Sequence, residues 1–222
     1  MQQFLYSPPT EPLKIIYEDR DLVVVDKPSG LLSVPGRIHR DSVLERLSKR
    51  YKHVYAVHRL DMDTSGILVV AIRRKSEREL QRQFREKEVK KVYVAVVEGL
   101  VSSAKGSISS PLLRIGGLPP RSVVDPEKGK AALTEYAVDT HFLSRTRLKL
   151  FPQTGRSHQL RVHLASIGHP IVGDRIYHPS PNSDSRLLLH AQKLTIRHPY
   201  SGEGHVFNSE PEEKLFYSTM DR

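Results

Sequence analysis

Six consecutive apolar residues, Ile67 to Ile72, follow directly on the compact polar run "HRLDMDTSG" at residues 58–66. A short, mostly β-branched run bounded by Gly66 and Arg73 fits a buried strand. His58, Arg59, Asp61 and Asp63 therefore crowd a tight loop at the mouth of that strand, and carboxylates so placed need a chemical or structural reason. Similar runs recur along the chain. "LKIIYEDRDLVVVDKPSGLL" reads as strand, polar turn, strand and Pro-Ser-Gly turn, and "KKVYVAVVEG" as a further strand. "ALTEYAVDTHF" and "RTRLKLFPQ" read as strands that pair, and "RLLLHAQKLTI" leads into a hairpin through residues 198–207.

Helical patterns lie between these strands. "DSVLERLSKRYK" carries Ser42 and Glu45 at capping-box spacing, with Val43, Leu44, Leu47 and Tyr51 on one side. "SERELQRQFREKEV" offers Ser76 and Glu79 as a second box and Leu80 and Phe84 as a buried stripe. "TGRSHQLRVHLASIGHP" reads as a turn and a helix capped by Ser157, with Leu160, Leu164 and Ile167 facing the core and Gly168 ending it. Residues 101–130, rich in Gly, Ser, Pro and Lys, read as hairpin arms or surface loops, and the last residues as a solvated tail. Strands with interspersed helices point to a single α+β domain built on a large, mixed, mostly antiparallel sheet with flanking helices.

Composition narrows the function. The chain has 222 residues, no cysteine and a formal net charge of +10. Disulfides, thiolate metal sites and cysteine nucleophiles are excluded, and the chain fits a reducing cytoplasm. No apolar run approaches a membrane span, and the N-terminus has no signal-peptide pattern. The basic excess favours a polyanionic partner, above all nucleic acid.

Several constellations could carry chemistry. Asp61 and Asp63 form a D-x-D pair, open to a metal-site reading or to an Asx turn in which Asp63 bonds the backbone near Ser65. His158 and His163 stand about 140° apart on a helix, which is not the spacing of a zinc protease. His158 and Arg161, three apart, project together. An Arg in a first helical turn opposes the helix dipole unless an acid is close, and Asp61 is the best unassigned acid. Tyr93, on a strand, alternates with Val92 and Val94; by itself it reads as core or sheet edge.

Taken together, the stretches resemble the RluA-type pseudouridine synthases. "HRLDMDTSG", "KPSGLLSVPG", "TGRSHQLRVHL", "GHPIVGDRIY" and "RLLLHAQKLTIRHP" are similar to that family's motifs, in the family's order, from about residue 12 to about residue 208. Phe151 departs from the polar or basic residue common there. The resemblance implies one catalytic domain at residues 12–217 with a central basic cleft and short tails at 1–11 and 218–222, without the S4 RNA-binding module of many relatives. It implies an RNA isomerase that flips a uridine out of a stem-loop, in 23S rRNA, in the tRNA anticodon arm, or in both. Asp61 would be the catalytic aspartate, Arg161 its ion-pair partner, Tyr93 the active-site tyrosine, and Arg59 the residue filling the vacated space. His58, Arg156, His158 and Gln159, within the same motifs, are expected at the RNA, with basic side chains near Arg78–Lys91 tracking phosphates. No metal or cofactor is expected, and a monomer is. A non-catalytic RNA-binding or ribosome-assembly protein on the same fold is the alternative.

Overall fold

The computed structural model describes residues 6–117, 120–180 and 186–216. Its strands fall on the β-branched runs. The first elements are β1 (Lys14–Glu18), β2 (Leu22–Lys27), α1 (Val43–Ser48), β3 (Tyr55–Ala56), β4 (Ser65–Ala71) and α2 (Arg74–Arg85). β5 (Lys90–Glu98), β6 (Lys105–Ile108), β7 (Leu112–Ile115), β8 (Arg121–Val124), β9 (Thr134–His141) and β10 (Arg145–Pro152) follow. The chain continues through α3 (Gln159–Ser166), β11 (Leu189–Arg197), β12 (Gly204–Asn208) and α4 (Glu213–Phe216). It packs as two compact units, Met1–Lys90 with Lys193–Ser209, and Lys91–Gln192 with Glu210–Arg222. Each is α+β, and its named strand pairs are antiparallel.

In the first unit β2 pairs with both β1 and β4, in register from Leu22 opposite Ala71 to Lys27 opposite Gly66. Every residue of β4 is buried, as an apolar run covered on both faces requires. Ile67, Val69, Leu80, Leu194 and Phe207 share one core. The Ser42 cap forms as expected, its hydroxyl accepting the Glu45 N–H. The second box does not. α2 begins at Arg74, so Ser76 sits at the third helical position, buried, and donates to Asp21 Oδ1 at 2.8 Å. A long-range acceptor wins over a local cap. Beside Leu80, Gln83 turns inward and its amide pairs with both backbone groups of Arg197 at 2.9 Å, as a neighbouring strand would. On the outer face Arg82 is held by Glu79, Glu86 and Glu88, so part of this charged surface is internally neutralised.

In the second unit the strand order is β5, β10, β9, β6. Val94–Val97 of β5 are buried on both faces, and β7 and β8 form the hairpin expected within 101–130. α3 departs from expectation at its start and in the burial of Ile167. Ser157 does not cap it; His158 does, in the left-handed region at φ 54° and without a side-chain bond. At the other end Ile167 is exposed, while six of the eight helical residues, polar ones included, are buried. Gly168, at φ 83°, ends the helix as expected, donating to Ala165 O while His169 donates to Leu164 O. That is the two-bond left-handed stop which glycine makes without strain. The core runs on to Phe216 of α4, which is fully buried. The expected tail at 218–222, and residues 1–5 of the expected N-terminal tail, lie outside the described residues.

Candidate active site

The loop around Asp61 is fastened by the segment that follows β2. Lys27 is wholly buried, and its ammonium donates to the carbonyls of Pro28, Leu31 and Met62 at 2.7–2.9 Å. Carbonyl acceptors offset the cost of withdrawing that charge from water. Gly30 N–H also donates to Met62 O at 2.9 Å, and Ser29 Oγ to Asp63 O at 2.6 Å. Ser33 Oγ donates to Leu60 O at 2.7 Å and accepts the Leu60 N–H. The backbone is thus gripped at 60, 62 and 63, on both sides of Asp61. Thr64 N–H closes a turn onto the Asp61 carbonyl at 3.2 Å, and β4 starts at the next residue. Asp61 itself is half-buried. A carboxylate on a backbone held this tightly keeps one aim, the pre-organisation a chemical step exploits.

The flanking residues divide in role. His58 accepts the Val69 N–H through Nε2 and stacks on Phe84 at 4.5 Å, bracing α2 against β4. Arg59 is exposed, with no side-chain hydrogen bond or ion pair among the described residues. Asp63 does not make the expected Asx turn: its carbonyl is held by Ser29, and its carboxylate has no partner among the described residues.

Arg161, in the second unit, is 3% exposed and holds Asp174, which is fully buried, through two parallel bonds of 2.8 Å. Bidentate Arg–carboxylate geometry fixes both partners. Burial alone would raise the Asp174 pKa, but Arg161 and the N–H groups of Ile176 and Tyr177 bring it below the usual carboxylate value. The guanidinium carbon of Arg161 lies 5.2 Å from the Tyr177 ring centroid. The Tyr177 hydroxyl accepts the Ser122 N–H and meets His158 Nδ1, both at 2.8 Å, which ties the β8 strand to the start of α3. Gln159 organises the preceding turn: its carbonyl accepts from Thr154 Oγ1 and the Arg156 N–H, and its amide donates to Leu133 O and Thr134 Oγ1. Arg156 is exposed, with Nε on Ala131 O. Tyr93 stands partly buried on β5 opposite Leu150, against the core of this unit. The structure therefore gathers Arg156, His158, Gln159 and Arg161 at one helix start, and His58, Arg59 and Asp61 in one loop. Asp174, Tyr177 and Lys27 have no role that sequence alone assigns, although each lies in one of the motifs quoted above.

Among the described residues one group of side chains could in principle share an ion: Asp19, Asp21 and His198. Protein donors already serve it. Asp19 accepts from the N–H groups of Asp21 and Leu22, from Tyr17 OH and from His198 Nε2; Asp21 accepts from Ser76 and Arg20. His198 Nδ1 accepts the N–H groups of Tyr200 and Ser201, which assigns the proton to Nε2. The group reads as a clasp between two turns.

A family model described as RNA pseudouridylate synthase matches residues 21–166, the span that carries both the Asp61 loop and α3. The chain belongs to that family. It is similar to the dual-specificity RNA pseudouridine synthase RluA of Escherichia coli K12, at 52% identity over 92% of this chain and 96% of that one. To the RluA of Haemophilus influenzae it is 48% identical, with the same coverage. Among solved structures it is similar to human RNA pseudouridylate synthase domain containing 1, with a TM-score of 0.79 and 29% identity over 94% of this chain and 87% of that one. The protein is accordingly an RNA pseudouridine synthase, an isomerase whose partner is RNA. No helix among the described residues is long and apolar enough to cross a membrane.

Proposed function

We propose that this pseudouridine synthase acts on uridines in stem-loops of both 23S rRNA and the tRNA anticodon arm, and that Asp61, Tyr93 and Arg161 carry the reaction. The observation supporting the substrate choice is the 52% identity, over 92% of the chain, to a relative named for dual specificity. The observation supporting Asp61 is the grip on residues 60, 62 and 63, which holds the backbone on both sides of it and so gives its carboxylate one aim.

The chemistry breaks the N1–C1′ bond and forms a C5–C1′ bond, with no change of oxidation state. An aspartate suffices to start it, by attack on C1′, by attack on C6, or by removing a ribose proton. Tyr93 packs on the uracil and assists loss of the C5 proton. Arg161, its own charge balanced by Asp174, serves the reacting carboxylate. A stacked base is out of reach, so the uridine is extruded, at a cost of roughly a few kcal/mol. Arg59, exposed and two residues from Asp61, fills the gap. Arg156, His158 and the exposed bases of α2 contact the RNA backbone. Residues 12–217 work as one catalytic domain, as a monomer, in the compartment that holds these RNAs.

The test is incubation with RNA from a strain lacking its own enzyme of this type, followed by single-nucleotide pseudouridine mapping. New sites are expected in one rRNA loop and in anticodon arms, with equal yield in EDTA. Sites confined to one RNA class would remove the dual assignment; dependence on a divalent ion would revive a metal role for Asp61 and Asp63.

A further inference from the structure

Among the described residues two lysines are withdrawn from water, and one of them has an internal reason. Lys27 spends its donors on three carbonyls. Lys91, on β5, is partly buried while its neighbour Lys90 is exposed, yet among the described residues it has no hydrogen bond and no ion pair. Burial pushes its amine below the ordinary lysine value, and neither a carboxylate nor a carbonyl opposes that. An ammonium drawn out of water without a partner is costly, and the cost is removed when an anion arrives.

The strand says where that anion would lie. Side chains alternate on β5, so Lys91 shares a face with Tyr93, about 6.6 Å away along the strand. Along β5 that face continues with the apolar Ala95 and Val97, and Leu150, Leu148 and the uncharged Thr146 stand across from Tyr93, Ala95 and Val97. Lys91 is the only charge that β5 carries on the Tyr93 side. A uridine in RNA whose uracil meets Tyr93 has phosphodiesters as its anionic groups, at the 5′ and 3′ oxygens of the ribose, away from the base.

We infer that Lys91 binds the phosphodiester of the uridine under isomerisation, so that one strand face reads base and backbone together. The inference rests on the placement of Tyr93 at the uracil. The group bound is a phosphate of RNA, not a free nucleotide.

The test uses the whole chain and a synthetic anticodon stem-loop RNA. Lys91→Met is expected to raise KM about ten-fold, the weight of a charge-assisted hydrogen bond. The slope of log KM against log salt should fall by about one, with kcat little changed. Lys91→Arg should restore most of both. Free uridine monophosphate should not protect or compete at concentrations where the stem-loop does. An unchanged KM and salt slope overturns the inference, and so does a loss confined to kcat, which would place Lys91 on the Tyr93 phenol instead. If Lys91→Met melts early, Lys91→Gln against Lys91→Arg decides by the same slopes. A wild-type chain that modifies no RNA would instead fail the proposed activity, whereas an active wild type with an indifferent Lys91→Met fails this inference alone.

Discussion

Asp61→Asn is expected to abolish pseudouridine formation, lowering the single-turnover rate by about 10⁴-fold or more, while the protein still folds and still binds stem-loop RNA. The amide has the shape of the acid but neither its negative charge nor its basicity, so attack at carbon and removal of a ribose proton fail alike. The fold survives because the bonds that shape the loop run through the backbone at 60, 62 and 63 and through Lys27, Ser29 and Ser33. The measurement pairs pseudouridine mapping with a melting curve and a binding isotherm. Wild-type yield from Asp61→Asn would favour the RNA-binding reading over the catalytic one for this residue.

The second large effect falls on stability. Asp174→Ala leaves the Arg161 guanidinium, 3% exposed, without its bidentate partner. Breaking a buried pair on one side costs about 3–5 kcal/mol, which for a chain of this size is a drop in Tm of roughly 6–20 °C. The pH dependence carries a sign. The folded-state pKa of Asp174 lies below its unfolded value, so the carboxylate stabilises the fold above about pH 4 and that contribution is lost as pH falls through the lower, folded value. The gap in stability between wild type and Asp174→Ala should therefore be flat from about pH 5 to 8 and narrow below about pH 4. A gap that widened in acid would mean that the pair does not hold the carboxylate ionised. Activity should fall together with stability, because the same contacts aim Arg161.

What the sequence disclosed follows the range of each interaction. Strand positions were legible because alternation and β-branching are local, and the Ser42 cap because its acceptor and donor are three residues apart. Ser76 and Ser157 carried equally good local signals and were overruled. Asp21, 55 residues from Ser76, captures its hydroxyl, and the Gln159 amide organises the turn in which Ser157 lies. The acid that Arg161 holds through Nε and Nη2 was hidden for the same reason. Helical spacing says that an acid is needed but cannot say which, and Asp174 reaches it only after α3 has ended and the chain has doubled back through Gly173. Ile167 escapes the core because it is the cap of α3, where the backbone has already left the helix at φ −100° and no longer continues the buried stripe. A wholly buried lysine runs against every compositional expectation, and nothing short of its three carbonyls explains Lys27.

That lysine also gives the loop a chemical memory. An amine with its protons committed to carbonyls and its surface sealed cannot meet an acylating reagent until the segment from Lys27 to Ser33 peels away from Met62. Labelling at Lys27 should therefore proceed at the rate of that opening, long after the surface lysines have reacted. Once acylated, the side chain has lost its charge and gained bulk, so the segment cannot reseat, and each opening caught by the reagent becomes a permanent loss of activity.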